Sequence, residues 1–257
     1  MFKIHIDSIS NGFISKETIL VKILNTDYTQ LVWSDEFNDS TINTANWNFE
    51  KGNNAGWGNN ELEVYTDSPA NSYISNGSLI IKAINTSGTY TSARMTSQNK
   101  KTFTNGRIDI RAKLPKGKGI WPAIWMLGTN ISTVSWPKCG EIDIMEMLGD
   151  NVSKVYGTVH YDNNGHQSSG LNTTLSSGTF SDSYHLFSII WQPHHLIWLL
   201  DNKEYYSVTD TEVSGFRFDL PQFFILNVAV GGNWPGNPDN TSQFPQTMEV
   251  DYIRVYH

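Results

Sequence analysis

From residue 31 to the C-terminus, apolar and polar residues alternate in short runs that end in Gly, Asn, Ser or Pro. The runs SLIIKAI (78–84), GRIDIRAKL (106–114), WPAIWML (121–127), EIDIMEM (141–147), KVYGTVHY (154–161), HLFSIIW (185–191), HLIWLLD (195–201), FFILNVAV (223–230) and MEVDYIRVY (248–256) read as strands. Side chains two apart on a strand share a face, so alternation gives one face to a core and the other to solvent or a ligand. SNGS, PKGKG, DNNG, WQPHH and LDNKE supply turn signals between the runs. No segment keeps a helical period with caps, and no internal repeat is visible. The pattern predicts an all-β fold, a jelly-roll sandwich of two antiparallel sheets.

Residues 1–30 differ. KIHID and ETILVKIL read as one or two strands, followed by the polar NTDYTQ. The stretch is too short for a domain. It is expected to be an added edge strand or the remnant of an upstream module, leaving 31–257 as the main domain.

The run EIDIMEM breaks the alternation. Glu141 and Asp143 share a face, but Glu146 falls on the other side unless one residue is accommodated between them. A β-bulge does this, inserting a residue and shifting the phase of the strand beyond it. Ile144 or Met145 can take the extra place, and the unbranched Met145 is the expected one. All three acids then line one face while Ile142 enters the core. Their neighbours are Ile, Met, Leu and Cys, among which carboxylates are costly without a partner or a task. Two Glu flanking an Asp suit retaining glycoside hydrolysis. One carboxylate attacks the anomeric carbon; the other protonates the leaving oxygen and then activates water, the pair standing about 5–5.5 Å apart.

Composition narrows the choices. The 257 residues, 39% hydrophobic, are enough for one large core. Nine Trp suit either an aromatic core or a sugar-stacking cleft. A net charge of −7 argues against nucleic-acid and anionic-membrane partners, and no apolar run reaches membrane-spanning length. The single Cys139 rules out an intramolecular disulfide framework and is expected to be a packed residue. The opening MFKIHIDSISNGF has no apolar signal core, the mark of a cytosolic chain or of a mature or trimmed one. G-x-S-x-G, Walker, H-E-x-x-H and C-x-x-C patterns are absent.

GEIDIMEM resembles the signature of glycoside hydrolase family sixteen in its bulged E-x-D-x-x-E form. WSDEF (33–37), NWNFE (46–50), GWGNNELEVYT (56–66), SARMTSQ (92–98), GRIDIRAKLPKGKGIWPAIWML (106–127), GTVHY (157–161), FFILNVAVGGNWPG (223–236) and VDYIRVY (250–256) are similar, in order, to its laminarinase-like branch. The resemblance covers residue 31 to the end. It implies a concave sheet forming an open groove, with Glu141 as nucleophile, Asp143 as its helper and Glu146 as general acid/base. It implies sugar contacts from Asn60 and Arg94, and a His160 close to the acid/base. Trp121 and Trp125, four apart on one strand face, suggest stacking platforms, with Trp125 the more buried. Trp136 just before the acidic strand and Trp234 in GGNWPG are further platforms.

The family also implies a structural calcium at Glu36, the Gly77 carbonyl and Asp251, and no catalytic cofactor. The expected activity is that of a retaining endo-β-1,3-glucanase on laminarin-type glucans, extending to mixed-linkage β-1,3-1,4-glucan, in a secreted or periplasmic monomer. The alternatives are an agarase- or carrageenase-like galactan hydrolase and a non-catalytic β-glucan recognition protein. The second is disfavoured because all three acids are present.

Overall fold

The computed structural model describes residues 2–10, 13–21 and 28–257, the first two segments as backbone. In these, β1 (Phe2–Ser10) and β2 (Phe13–Val21) pair antiparallel in a sheet of their own. The end of the expected strand ETILVKIL and the start of NTDYTQ, residues 22–27, lie outside the described residues.

The remaining strands are β3 (Leu31–Asp35), β4 (Asn48–Glu50), β5 (Val64–Tyr65), β6 (Ser72–Ser75), β7 (Ser78–Thr86), β8 (Thr89–Ser92), β9 (Arg94–Thr96) and β10 (Gly106–Lys113). They continue with β11 (Ile120–Gly128), β12 (Glu141–Glu146), β13 (Lys154–Asp162), β14 (His166–Thr174), β15 (His185–Gln192), β16 (His195–Leu200), β17 (Lys203–Thr209), β18 (Gln222–Val230) and β19 (Gln246–Tyr256). Each of the strands expected from alternation after residue 31 is present, with bounds close to those expected. The SNGS turn joins β6 to β7 through Asn76 and Gly77, both at positive φ (52° and 72°), the backbone a two-residue hairpin loop needs. A single helical turn, α1 (Ile131–Val134), lies between β11 and β12.

Two sheets make the sandwich. The outer one runs β17-β16-β15-β10-β19-β7-β8-β5, with β3 added on β19 and β6 on β7. The inner one runs β14-β13-β12-β11-β18-β9-β4. Between them sit Leu79, Ile81, Ile108, Ile110, Ile124, Met126, Ile142, Phe224, Leu226, Ile253 and Val255, all essentially inaccessible to water. Burial of such side chains contributes about 1.5–3 kcal/mol each, which fixes the alternation and therefore which residues face outward. The nine tryptophans divide between the two expected roles. Trp47, Trp191 and Trp198 are fully buried and Trp33 packs against the core, whereas Trp57, Trp121, Trp125, Trp136 and Trp234 line a groove on the inner sheet.

Cys139 is buried against Leu127, Phe223 and Ile225. Burial, then the charge of Glu141, pushes its thiol up to about 11, so it is a packed residue as expected.

Candidate active site

The acidic strand β12 lies in the inner sheet between β11 and β13. Its register shows the bulge directly. Against β11, Asp143 faces Trp125, Met145 faces Ile124 and Glu146 faces Ala123, so Ile144 is left without a partner. The inserted residue is therefore Ile144 and not the expected Met145. Against β13 the ladder jumps from Asp143↔Thr158 to Glu146↔Tyr156, so Ile144 and Met145 together oppose the single Gly157. Both side chains are buried in the core, which fixes the bulge by packing from below.

Gly157 makes room for it. A Cβ there would stand 2.5 Å from Trp198 and 2.6 Å from the Tyr205 hydroxyl. Trp198, rising from the outer sheet, donates its indole N–H to the Asp143 backbone carbonyl at 2.8 Å. The core thus satisfies a polar group at the point where the ladder is interrupted.

With the phase shifted, Glu141, Asp143 and Glu146 all line a groove of about 580 Å³. Each Glu is oriented by an indole. Trp136 donates to Glu141 Oε2 at 2.9 Å and Trp121 donates to Glu146 Oε1 at 3.0 Å. His160 stands opposite Glu141 in the ladder, with Nε2 3.3 Å from Asp143 Oδ2 and 3.8 Å from Glu141 Oε1. The family resemblance implies a histidine by the acid/base; His160 stands directly against Glu141 and Asp143, and its charge also opposes the rise in the proton affinity of Glu146.

Burial is the largest cause of the acids' proton affinities. It pushes Glu141 up to about 8, with Asp143's charge adding to it while His160, the Trp136 hydrogen bond and Arg94 oppose it. Asp143 rises to about 7 through burial, opposed by its hydrogen bond with Glu141. Glu146 is raised well above the usual carboxylate range, by burial and then by both neighbouring acids. Three carboxyls this close cannot all be ionised, so the trio holds protons at neutral pH and titrates as a unit.

Trp125 Nε1 donates to Asn227 Oδ1 at 2.8 Å, Asn227 donates to Tyr65 Oη at 3.1 Å, and Tyr65 donates to Glu61 Oε2 at 3.3 Å. Arg94 lies between the faces of Trp57 and Trp125, 4.6 and 4.8 Å from the ring centroids, and pairs with Glu50. Trp234 meets Trp121 and Tyr156 edge to face at 5.4 and 4.9 Å. Trp121 and Trp125 are both partly buried on the groove face, and Trp136 and Trp234 are largely exposed on the groove walls.

Asn60 alone of the expected sugar contacts does not line the groove. At positive φ (57°), it donates to Asn233 Oδ1 at 2.8 Å, while its neighbours Asn59 and Glu61 line the wall. The groove also takes in Trp57, Asn59, Glu61, Thr158, His166 and Asn227, none of which the sequence reading singles out. Two of these carry a signal in the sequence. Asn227 is a lone amide inside the apolar run FFILNVAV, and Trp57 sits in a Gly-rich loop, GWGNN, much as Trp234 does.

On the far side, both Glu36 carboxylate oxygens accept from Arg254, at 2.9 and 2.8 Å, and Asp251 Oδ2 accepts from Arg111 at 2.6 Å. The Glu36 side chain therefore does not fit as a calcium ligand. The backbone carbonyls of Glu36 and Gly77 and the second Asp251 oxygen do fit by chemistry, being hard oxygens of the kind calcium takes.

Comparisons with known proteins identify the family. The model of glycosyl hydrolases family 16 matches residues 41–254. The chain is 40% identical to glucan endo-1,3-beta-glucosidase A1 of Niallia circulans over 88% of its own length, although it spans only 37% of that protein. It is 39% identical to the beta-glucanase of Rhodothermus marinus, covering 88% of this chain and 85% of that one. The catalytic domain of an endo-1,3-beta-glucanase (laminarinase) from Thermotoga petrophila superposes with a TM-score of 0.83 at 50% identity, covering 89% of this chain and 97% of the other. With its bulged acidic strand, groove and family match together, the chain belongs to glycosyl hydrolases family 16, in the laminarinase-like branch.

Proposed function

We propose that the chain is a retaining endo-β-1,3-glucanase acting on laminarin-type glucans and on mixed-linkage β-1,3-1,4-glucan. The observation that carries this reading is the bulge at Ile144, which sets Glu141, Asp143 and Glu146 on one groove face with an indole on each Glu. Glu141 attacks the anomeric carbon through the oxygen not held by Trp136. Glu146, its proton affinity raised by burial and by both neighbouring acids, protonates the departing glycosidic oxygen. That leaves a glycosyl ester on Glu141 and a carboxylate at Glu146, which then takes a proton from water as the water attacks the anomeric carbon and expels Glu141 as a carboxylate. Asp143 helps by sharing a proton with Glu141, so that one member of the pair is ionised while the other donates.

The groove suits a neutral polymer. Trp57, Trp121, Trp125, Trp136 and Trp234 offer flat apolar faces for sugar rings, and Asn59, Asn227 and Arg94 offer donors for hydroxyls. A sulfated galactan would need basic walls. Arg94 is the one Lys or Arg among the described lining residues, and it is already paired with Glu50. The presence of all three acids disfavours a recognition protein without catalysis.

The test is product analysis on laminarin, barley mixed-linkage glucan, agarose and carrageenan, with Glu141→Ser as control. Short β-1,3-gluco-oligosaccharides from the wild type alone are expected. Release from a galactan alone would overturn the substrate, and bound but uncut laminarin would overturn the enzyme.

A structural calcium is a finer reading, resting on the family resemblance and on oxygens of Glu36, Gly77 and Asp251. A chelator should lower the melting temperature by a few degrees and added calcium should restore it, since a ligand of the folded state stabilises it by mass action. An unchanged melting curve would remove the calcium. Secretion is likewise proposed from the family alone.

A further inference from the structure

His166 begins β14, directly after the DNNG turn, and its role is not explained by the sugar-cleaving acids themselves. Across the hairpin, Asp162 pairs with His166 and His160 with Ser168, so the two histidines are diagonal neighbours on one face. Their rings are nearly parallel, 16° apart at a centroid distance of 5.1 Å, with His160 Nδ1 2.8 Å from His166 Nε2. His166 also packs against Trp136, centroid to centroid 4.5 Å. One side chain therefore touches both groups that reach Glu141 and Asp143 from this side: His160, through Nε2, and Trp136, whose N–H is bonded to Glu141.

A hydrogen bond between two neutral imidazoles needs one N–H and one bare nitrogen, and the direction chosen sets both tautomers. If His160 donated, its bare Nε2 would point a lone pair at carboxyl oxygens 3.3 and 3.8 Å away. That is repulsive whenever the Glu141–Asp143 pair carries a negative charge, as it must for attack. With His166 donating, the proton of His160 sits on Nε2 and faces those oxygens. We propose that His166 is a positioning residue that donates from Nε2 to His160 Nδ1, fixing the His160 tautomer whose Nε2–H stabilises the ionised Glu141–Asp143 pair. The titratable and charged groups around this relay are Glu141, Asp143 and Glu146 on β12, Asp162 opposite His166 in the β13–β14 ladder, and Arg94 on β9, whose charge also acts on Glu141. Burial is the largest cause lowering the proton affinity of His166, consistent with a neutral ring.

The inference rests on Glu141 and Asp143 being the working acids. Its test compares His166→Phe, which keeps a ring against Trp136 but has no N–H, with His166→Gln, which returns an N–H donor. His166→Phe should lower kcat about tenfold with KM within about twofold. It should also move the acid limb of the pH–rate profile upward, because the ionised pair loses its donor. His166→Gln should recover most of the rate and return the limb. A wild-type rate and limb in His166→Phe, or a His166→Gln as impaired as His166→Phe, would overturn the proposal. A second measurement needs no variant: nitrogen NMR of the wild type with labelled histidine should show the proton on Nε2 of both rings, and a bare His160 Nε2 overturns it even if His166→Phe fails to fold. Glu141→Ser separates the two failures, since activity surviving there removes the nucleophile without touching the tautomer result.

Discussion

Two strands of this molecule carry nearly the same phrase. β12 reads Glu141-Ile142-Asp143 and β19 reads Glu249-Val250-Asp251, each with the aliphatic buried and the acids on the opposite face. On the outer sheet the neighbouring strand β10 answers each acid with a cation. Lys113 lies 2.7 Å from Glu249 and Arg111 lies 2.6 Å from Asp251. On the inner sheet the cross-strand partners of the three acids are Leu127, Trp125 and Ala123 on one side and His160, Thr158 and Tyr156 on the other. No Lys or Arg stands across from them. The outer acids are settled as ion pairs, whereas the inner ones are desolvated, crowded and pushed up. Alternation in a strand therefore does not say whether its acids are structural; the strand beside it does.

Removing Glu141, the proposed nucleophile, should have the largest effect. Glu141→Ser is expected to reduce laminarin hydrolysis by about four orders of magnitude with folding and glucan binding retained, since it removes covalent catalysis and little else. Comparable turnover in the variant would place the nucleophile elsewhere. On the outer strand, Asp251→Asn should leave kcat unchanged, and a large loss there would erase the contrast between the sheets.

Asp143→Asn comes next, with kcat falling about a hundredfold. Its diagnostic is the pH profile. Asp143's charge is one of the causes raising Glu141, so its removal lets Glu141 ionise more easily and moves the acid limb to lower pH. A limb that stays in place would mean that Asp143 does not share the titration of Glu141.

The nine principal strands are legible in the sequence because each is an apolar-rich run of about seven residues or more between turn signals, alternating in most and nearly continuous in FFILNVAV. β14, HQSSGLNTT, is not: it is an edge strand mostly exposed on both faces, so burial imposes no pattern on it. β4, β5 and β9 are too short, at three, two and three residues, for a period to show. The acids are legible from their broken phase, but the identity of the inserted residue is not. The flexibility of Met145 is a property of one side chain, whereas the bulge is set by what fits opposite Gly157 beneath Trp198 and Tyr205. Asn60 misses the groove by one position for a similar reason. The turn at Asn59–Glu61 decides which side chain faces the groove, and its positive φ is invisible to residue type alone. The resemblance alone implies Glu36 as a metal ligand, and the sequence does not show that Arg254, 218 residues away in the chain, takes its side chain in the fold.

Stability should separate the two sheets with opposite sign, and Glu141→Gln shows the larger effect. The folded-state value of Glu141, about 8, lies above its ordinary 4.5, so its contribution is intact below pH 4.5 and is lost as pH rises through 8. An amide removes that loss. Glu141→Gln should raise the melting temperature by about 4 °C at pH 8 and by less than about 1 °C at pH 5. A uniform shift at both pH values would mean that packing, not ionisation, was changed.

The smallest effect is expected where an acid has its cation. Arg254 of β19 holds both oxygens of Glu36 and lowers its proton affinity, so that pair contributes above pH 4.5 and is lost as pH falls through the depressed folded value. Both side chains are 35% exposed, and water screens the pair to about 0.5–1 kcal/mol. Glu36→Gln should accordingly lower the melting temperature by about 2 °C at pH 7, with the gap closing as the pH falls below 4.5 and shrinking in about 1 M salt. Glu36→Gln and Glu141→Gln are the same chemical change, a carboxylate replaced by an amide. Opposite signs at pH 8 would show that the inner sheet retains its acids against stability while the outer sheet retains them for it. Equal signs would mean that the absence of a cation beside β12 is made good by the indoles of Trp121 and Trp136, and that their donors, not the bulge alone, decide how the acids are charged.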